Sequence, residues 1–185
     1  MLREAILKKS TDTIVNQVSA LKEMVNDFSN FARPSQNKPE LRPIGDFIDD
    51  VLSLYQGQIK QLNIHIEDNL PELLIDTVRL RQVIINLIKN AQEATITVPD
   101  PVIDVSVKQL PDLGYVEISI ADNGPGVDNS QIEHIFEPYV TNKDKGTGLG
   151  LAIVKKIIEE HGGNIHLQQH EGQGAIFVIR LNLNS

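Results

Sequence analysis

The spacing of apolar residues divides the chain into a helical N-terminal part and a longer part of mixed pattern. Near the N-terminus, apolar residues recur at steps of seven, four and three, the spacing of a heptad seam: Leu7, Ile14, Val18, Leu21, Val25, Phe28 and Ala32. This spacing predicts a long helix over residues 1–33 that packs in a coiled coil or helical bundle, with packing against its own domain as the alternative. The prolines of "RPSQNKPELRP" predict a linker over 34–43, which leaves 44–185 as the main domain.

After the linker, helical patterns alternate with strand patterns. The helical ones are "FIDDVLSLYQGQIKQ", "TVRLRQVIINLIKNAQEAT" and "GLAIVKKIIEEH", with Asp76 capping the second and Gly162 and Gly163 ending the third. A capping-box pattern from Ser130 to Glu133 predicts a short helix, "SQIEHIF". Strand patterns occupy "NIHIEDN", "ELLID", "VIDVSVKQL", "YVEISIAD", "NIHLQQH" and "AIFVIRLNL". The sequence therefore predicts an α+β fold in which helices cover one face of a mainly antiparallel sheet.

Composition and charge exclude several classes of protein. The net charge of −8 opposes nucleic-acid binding, which needs a basic face. The absence of cysteine excludes disulfides and Cys-ligated metal sites, and it is typical of a reducing compartment. No apolar run approaches the roughly 18 residues that span a bilayer. We therefore expect a cytoplasmic protein with no nucleic-acid partner and no membrane segment in this chain.

An amide pair marks one face of the helix "NLIKNAQEA". Asn86 and Asn90 are four residues apart, so their side chains lie on the same side of the helix, where Glu93 joins them. An amide oxygen is a hard ligand of the kind that Mg²⁺ prefers. A solvated helix face is the alternative, because asparagine is only mildly unfavourable in a helix.

Two glycine clusters, "NGPGV" and "GTGLGL", hold five of the twelve glycines in the chain. The first follows Asp122 at a strand end, where a carboxylate accepts a hydrogen bond from an exocyclic amine and glycine lets a flat ring approach. An ordinary Asp-Asn-Gly turn is the alternative. The second cluster leads into a helix whose N-terminal amides form an anion site. Together with the amide pair, these clusters predict a nucleotide site: Gly124, Gly126, Gly146, Gly148 and Gly150.

These motifs occur in a specific order. "NLIKNAQEA" resembles the N box, "DNGPG" the first glycine box, "IFEPYVTNK" the F box and "GTGLGLAI" the second glycine box of bacterial sensor histidine kinases. From about Pro43 to its end, the chain resembles their ATP-binding catalytic domain, which belongs to the superfamily shared with gyrase, HSP90 and MutL. The resemblance implies a Bergerat-type fold, a two-layer α/β sandwich with a mixed, mainly antiparallel sheet and a mobile lid over ATP.

The resemblance also implies roles for individual residues. Asp122 would contact the adenine amine, Asn90 would hold the Mg²⁺ that bridges the phosphates, and Asn86 would line the phosphate site. Gly124 and Gly126 would receive the base. The lid would span roughly residues 129–147. The other implied nucleotide-binding residues are Phe136, which would anchor the lid, and Gly146, Thr147, Gly148, Leu149 and Gly150, which would surround the phosphates.

The reaction type depends on two departures from related proteins. Many of these kinases carry a lysine where this chain has Glu93, so phosphate neutralisation would fall to Lys89, Lys143 or Lys145, which stay open as alternatives. Asn86 stands where hydrolytic relatives usually have glutamate, and an amide accepts no proton at neutral pH. This favours phosphoryl transfer over hydrolysis and makes Asn86 and Lys143 the candidate catalytic residues.

The phosphoacceptor histidine of a sensor kinase has no counterpart in this chain. The five histidines lack an acceptor context and are expected to be structural or surface residues: His65, His134, His161, His166 and His170. "IVNQVSALKEMVNDFSNFARP" instead resembles the second helix of the dimerisation hairpin in nitrogen-regulation-type sensor kinases. The chain is therefore expected to be the cytoplasmic catalytic fragment of a membrane-bound sensor, with the acceptor helix absent.

The implied partners are ATP, Mg²⁺, the phosphoacceptor hairpin of the full-length kinase and a response regulator. The N-terminal helix would form a homodimer. Two alternatives share the fold. One is a serine kinase of the anti-sigma type, which the heptad helix disfavours, and the other is a module that binds nucleotide without turnover, which the complete set of motifs disfavours.

Overall fold

The computed structural model describes residues 38–141, 146–170 and 173–183, together with residues 11, 13–15, 17, 18, 21, 22, 25, 28 and 29. The described N-terminal positions have helical backbone. Their large apolar side chains are between 55% and 65% exposed: Ile14, Val15, Val18, Leu21, Val25 and Phe28. Leu7 and Ala32 of the predicted seam lie outside the described residues. Within the described part of the chain, no helix has the length and apolarity to cross a bilayer.

A five-stranded sheet forms one layer of the domain. Its strands are β2 (Leu62–Ile66), β4 (Ile103–Leu110), β5 (Tyr115–Asp122), β6 (Asn164–His170) and β7 (Gln173–Asn182). They lie in the order β2-β4-β5-β7-β6, and β2 pairs with β4 in parallel while the other pairs are antiparallel. The predicted mixed, mainly antiparallel sheet is confirmed. The last residue of β5 is Asp122, which pairs with Ala175 near the start of β7.

Three helices of the described residues form the second layer: α1 (Ile44–Ser53), α2 (Thr77–Ala94) and α3 (Gly150–Glu160). Their apolar residues form one core with alternate residues of the sheet, such as Val105, Ile118 and Ile179. The intervening positions carry polar groups, such as the hydroxyl pair of Ser106 and Ser119 at 2.8 Å. This alternation is what a sheet with one covered face requires. The predicted two-layer α/β sandwich is confirmed.

The ends of α2 and α3 follow from local chemistry. Asp76 caps α2, because its Oδ1 accepts hydrogen bonds from the amides of Val78 (3.1 Å) and Arg79 (3.0 Å). After α3, Gly162 has φ +68°, and the amide of Gly163 donates to the carbonyl of Ile158 at 2.9 Å. Both helix boundaries were predicted from the sequence, and both are confirmed.

Two segments differ from the sequence-based prediction. Residues 40–43, placed in the linker, form strand β1 (Glu40–Pro43), which pairs antiparallel with β3 (Glu72–Ile75). Pro43 is tolerated because it ends the strand, where its missing N–H removes little pairing. The first helix ends at Ser53 and turns follow it, because Gly57 adopts φ +83° and breaks the helical path. The predicted helix through "YQGQIKQ" is therefore wrong, while the domain boundaries stay a prediction.

The predicted short helix "SQIEHIF" is also wrong. Residues 129–136 form successive turns, with amide-to-carbonyl bonds from Gln131 to Asp128 (2.8 Å) and from His134 to Gln131 (2.9 Å). Asp128 accepts from both the amide (2.8 Å) and the hydroxyl (2.6 Å) of Ser130. The Ser130 hydroxyl is thus engaged with the preceding aspartate, which replaces the capping box by an Asx turn.

Candidate functional site

The carboxylate of Asp122 lies at the end of β5, half-buried. It accepts hydrogen bonds from the amide of Gly124, at 2.9 Å from Oδ1, and from the amide of Ala175. Burial raises the pKa of Asp122, and the two amide donors oppose that rise without cancelling it. A carboxylate that is withdrawn from water and held by fixed donors is suited to accept a further hydrogen bond from a ligand amine.

Gly124 brings the loop after β5 against the last turn of α2. A methyl group at this position would lie 2.8 Å from Oδ1 of Asp122 and 2.9 Å from the carbonyl oxygen of Ala94. The side chain of Asn123 also holds this loop, because it donates a hydrogen bond to the carbonyl of Asp100 (2.7 Å) and accepts one from the amide of Val102 (2.9 Å). Close backbone packing therefore explains the glycine at 124, and its role in receiving a base stays a prediction.

The amide pair lies on α2 as the spacing predicted. Asn86 and Asn90 are both half-buried, whereas Lys89 is exposed. Asn90 precedes Ala94 by one helical turn, and Ala94 contacts the loop that follows Asp122. The loop that follows Asp122 therefore packs against the last turn of α2, one helical turn beyond Asn90.

The donor set fits magnesium. Amide oxygens suit Mg²⁺, which takes only one or two protein ligands where phosphates and waters complete its coordination. Correspondingly, the described ranges contain no group of three His, Cys, Asp or Glu residues that could hold a metal by themselves. Asn90 is the residue predicted to hold such an ion, and Asn86 is predicted to line the phosphate site.

The second glycine cluster leads into α3. Thr147 accepts a hydrogen bond through Oγ1 from the amide of Leu149 at 3.3 Å. As the first turn begins, the carbonyl of the buried Leu149 accepts a hydrogen bond from the amide of Ile153. A methyl group on Gly150 would meet nothing within 4 Å. Gly146 is exposed. The second glycine cluster therefore leads directly into the N-terminus of α3, and anion binding by its first-turn amides stays a prediction.

Gly148 ties this loop to the predicted lid. It has φ +66°, and a methyl group on it would lie 2.5 Å from the carbonyl carbon of Tyr139. The carbonyl of Gly148 accepts from the amide of Tyr139 at 2.9 Å. Tyr139 itself has φ +69°, an uncommon conformation for a bulky residue. Glycine at 148 is required by this close approach, which the sequence did not reveal.

The start of the lid packs on the core. The rings of Phe136 and Phe177 meet edge to face, with centroids 6.3 Å apart at 85°, and Ile135 is buried beside them. Lys143 and Lys145 lie outside the described residues, so the choice between them and Lys89 stays open.

Among the histidines whose side chains the structure describes, His161 is the most buried, and its contacts are structural. Its Nδ1–H donates to the carbonyl of Ile157 (2.7 Å), and its Nε2 accepts from the amide of Asp76 (3.0 Å). His134 bonds to the carboxylate of Glu137 at 2.9 Å, and this hydrogen bond with its negative charge raises the pKa of His134. His65 is exposed and His166 half-buried, while the side chain of His170 is outside the described set.

Sequence reasoning missed two residues that contact the site from β7. Ala175 donates to the carboxylate of Asp122, and Gly174 donates to the carbonyl of Gly124 at 3.0 Å. In the sequence analysis, Gly174 falls between the strand patterns "NIHLQQH" and "AIFVIRLNL" and is assigned to neither. Its spacing from the first glycine cluster carries no signal, because the contact arises from the antiparallel pairing of β5 with β7.

Known proteins are similar to this chain in sequence and in fold. Residues 75–185 match the family described as histidine kinase-, DNA gyrase B- and HSP90-like ATPase. The chain is 33% identical to sporulation kinase E of Bacillus subtilis, covering 92% of this chain and 23% of the relative. It is 36% identical to the nitrogen regulation protein NtrY of Azorhizobium caulinodans, over 97% of this chain and 24% of that relative. The chain thus spans about a quarter of the length of these relatives.

Three solved structures have the same fold. The catalytic domain of histidine kinase ThkA matches with a TM-score of 0.69 and 30% identity, over 78% of this chain and 95% of that one. Full-length ShkA in complex with AMPPNP matches with a TM-score of 0.76 and 30% identity, over 94% of this chain and 38% of that one. ThkA in complex with the response regulator protein TrrA matches with a TM-score of 0.77 and 26% identity, over 95% of this chain and 51% of that one.

The family match covers more than half of the chain and includes every described residue of the candidate site, from Asn86 to Ala175. The motifs, the fold and the relatives agree. The chain belongs to the family of histidine kinase-, DNA gyrase B- and HSP90-like ATPases, and its relatives within it are sensor histidine kinases.

Proposed function

We propose that this chain is the ATP-binding catalytic part of a sensor histidine kinase. It binds Mg-ATP and transfers the γ-phosphoryl group to a histidine on a dimerisation hairpin whose acceptor helix is not in this sequence. The observation that supports the proposal is the packing of the loop after Asp122 against Ala94 in the last turn of α2, one helical turn beyond Asn90.

Recognition of the base rests on Asp122. The carboxylate accepts a hydrogen bond from the exocyclic amine of adenine while the amides of Gly124 and Ala175 hold it in place. A guanine base presents a carbonyl oxygen at the same position, which would face a carboxylate and repel it. The site is therefore expected to select adenine nucleotides.

Recognition of the phosphates rests on two elements. The first-turn amides of α3 and the positive end of its dipole bind phosphate oxygens, with Thr147, Gly148 and Leu149 before them. On the other side, Asn90 would hold Mg²⁺ and Asn86 would line the phosphate site, and the bound ion would supply positive charge against the phosphates. Relatives support the ligand, since ShkA has been solved with AMPPNP.

The transfer step is favoured because position 86 carries no general base. An asparagine at position 86 activates no water, so the γ-phosphorus remains for an imidazole nitrogen of the acceptor histidine. That nitrogen forms a bond to phosphorus as the bond to the β–γ bridging oxygen breaks, and ADP leaves. A response regulator is the next acceptor, by analogy with ThkA, which has been solved with TrrA.

A transfer assay tests this proposal. The chain is incubated with γ-labelled ATP, Mg²⁺ and a separately expressed hairpin that carries the acceptor histidine. Label on the hairpin that is lost in acid and kept in base is expected, because phosphohistidine has that stability, and Asn90→Ala should abolish it. Acid-stable label would indicate serine phosphorylation, and ATP binding without any label would indicate a binding module.

A further inference from the structure

We infer that Gly174 is a positioning residue for Asp122, so that the first residues of β7 set the recognition of the base. This inference rests on the proposed function, because it assigns Gly174 a role in how that site selects its ligand. Gly174 touches no ligand under this assignment and acts through the carboxylate.

Two backbone amides at the start of β7 donate hydrogen bonds to the end of β5 and the loop that follows it. The amide of Gly174 donates to the carbonyl of Gly124 at 3.0 Å. The amide of the next residue, Ala175, donates to the carboxylate of Asp122, with which it pairs in the β5–β7 register. The carboxylate therefore takes one donor from its own loop, at Gly124, and one from a strand far along the chain.

Only glycine fits at position 174. Its φ is +63°, and a methyl group would overlap the carbonyl oxygen of Asp122 and lie 2.7 Å from its carbonyl carbon and 3.2 Å from Cα of Asn123. All three neighbours are backbone atoms, which cannot swing aside as a flexible side chain can. A side chain here must push β7 away or rotate the peptide after Asp122, and either change moves the donors that orient the carboxylate.

A matched control separates orientation from backbone strain. Gly114 has φ +73° in the turn between β4 and β5, at the other end of β5 from Asp122, and a methyl group there meets nothing within 4 Å. Gly114→Ala therefore imposes a similar backbone cost without the collision. Any loss of stability from strain alone should appear in both variants.

The test compares adenosine with purine riboside, which lacks the exocyclic amine. The wild-type chain should bind adenosine roughly tenfold more tightly, the effect of one hydrogen bond to a charged group. Gly174→Ala should reduce this ratio to about threefold or less, and Gly114→Ala should keep it. In the Asp122→Asn background, Gly174→Ala should lower the ratio no further, because both changes remove the same contact.

The possible results distinguish a failure of this inference from a failure of the proposed function. A folded Gly174→Ala chain with the wild-type ratio overturns the inference and leaves the proposed function intact. A wild-type chain that binds no adenosine overturns the proposed function itself. Should Gly174→Ala fail to fold, amide hydrogen exchange of the wild-type chain decides. Adenosine should slow exchange at Gly174 and Ala175, whereas unchanged exchange there with bound adenosine overturns the inference.

Discussion

The backbone amide of Asp76 donates a 3.0 Å hydrogen bond to Nε2 of His161, which joins the start of α2 to the residue that follows α3. Because the two helices pack together and the start of α2 meets the end of α3, they run in opposite directions. Arg79 and Glu160 form an ion pair at the same end. These contacts therefore connect the start of α2 to the end of α3, at the end of the two helices that is farther from Asn86 and Asn90.

We expect Asp76→Ala to destabilise the domain by about 1–2 kcal/mol, because it removes the cap of α2. Oδ2 of Asp76 also accepts from the amide of Lys38 at 3.1 Å. Asp76→Asn keeps one acceptor but turns an NH₂ group toward one of the amides, so its loss should be smaller. Urea denaturation followed by circular dichroism measures both, and equal stability of the alanine variant and the wild type would contradict the assignment.

The same contact predicts a pH dependence. Burial acts to raise the pKa of Asp76, but hydrogen bonds from the amides of Arg79, Lys38 and Val78 outweigh it, so the folded-state pKa is lowered. A lowered pKa contributes stability above the unfolded value, about 3.9, that is lost as the pH falls through the folded value. Wild-type stability should therefore decline more steeply below pH 4 than that of Asp76→Asn in matched denaturation curves.

Asp122→Asn should weaken adenosine and ATP binding by roughly tenfold or more. The substitution keeps the size of the side chain but places an NH₂ donor against the adenine amine, and an unmatched buried polar group costs about 1–3 kcal/mol. Calorimetry on the folded variant measures the effect. Asp112→Asn in the exposed turn before β5 is the control, and unaltered affinity in Asp122→Asn would remove Asp122 from the site.

Adenosine affinity should also fall as the pH drops through the raised pKa of Asp122. Protonation replaces an acceptor oxygen by a hydroxyl, so binding favours the ionised form, and affinity should rise with pH and level off above the pKa. Because burial raises this pKa, the decline should begin above the pH near 3.9 at which an ordinary aspartate titrates. The decline should be absent in Asp122→Asn, and its persistence there would assign it to another group.

Asn90→Ala should abolish transfer and remove most of the Mg²⁺ dependence of ATP binding. Adenosine lacks phosphates and contacts Asp122, so its affinity should barely change and serves as the internal control. Titrations of ATP and adenosine with and without Mg²⁺ measure the difference. Equal losses for both ligands would show damage to the fold instead of a lost metal contact.

The chain by itself should bind Mg-ATP, hydrolyse it slowly at most, and fail to label itself. Its histidines lack an acceptor context, and His161 is occupied by two structural hydrogen bonds. A hairpin supplied in trans should be labelled weakly, because the effective concentration that tethering provides is lost. Robust self-labelling of the purified chain, mapped by mass spectrometry to any histidine, would overturn the assignment as a fragment.

The N-terminal apolar stripe predicts self-association. Apolar side chains more than half exposed cost about 25 cal/mol per Å² of surface in contact with water. Burial in a homodimer relieves that cost, so sedimentation should give a dimer for residues 1–185 and a monomer for residues 38–185. A monomer in both cases would contradict the proposed dimer.

The sequence by itself predicted most of the elements, the fold class and the family. Helix and strand patterns repeat at 3.6 and 2 residues, caps act within a turn, and the spacing of Asn86 and Asn90 puts both on one helix face, so all of these are local signals. The strand at 40–43 and the turns at 129–136 escaped prediction, because the first depends on pairing with β3 and the second on Asp128 competing for Ser130.

Only the tertiary structure decided which distant residues meet. Gly174 and Ala175 hold the loop of Asp122, Gly148 packs on Tyr139, and Asp76 bonds to His161. Each contact joins segments separated along the chain, so no periodicity or motif in the sequence reports it. Strand pairing and helix packing create these contacts, because a buried donor or a close backbone approach is satisfied only by whatever the fold brings beside it.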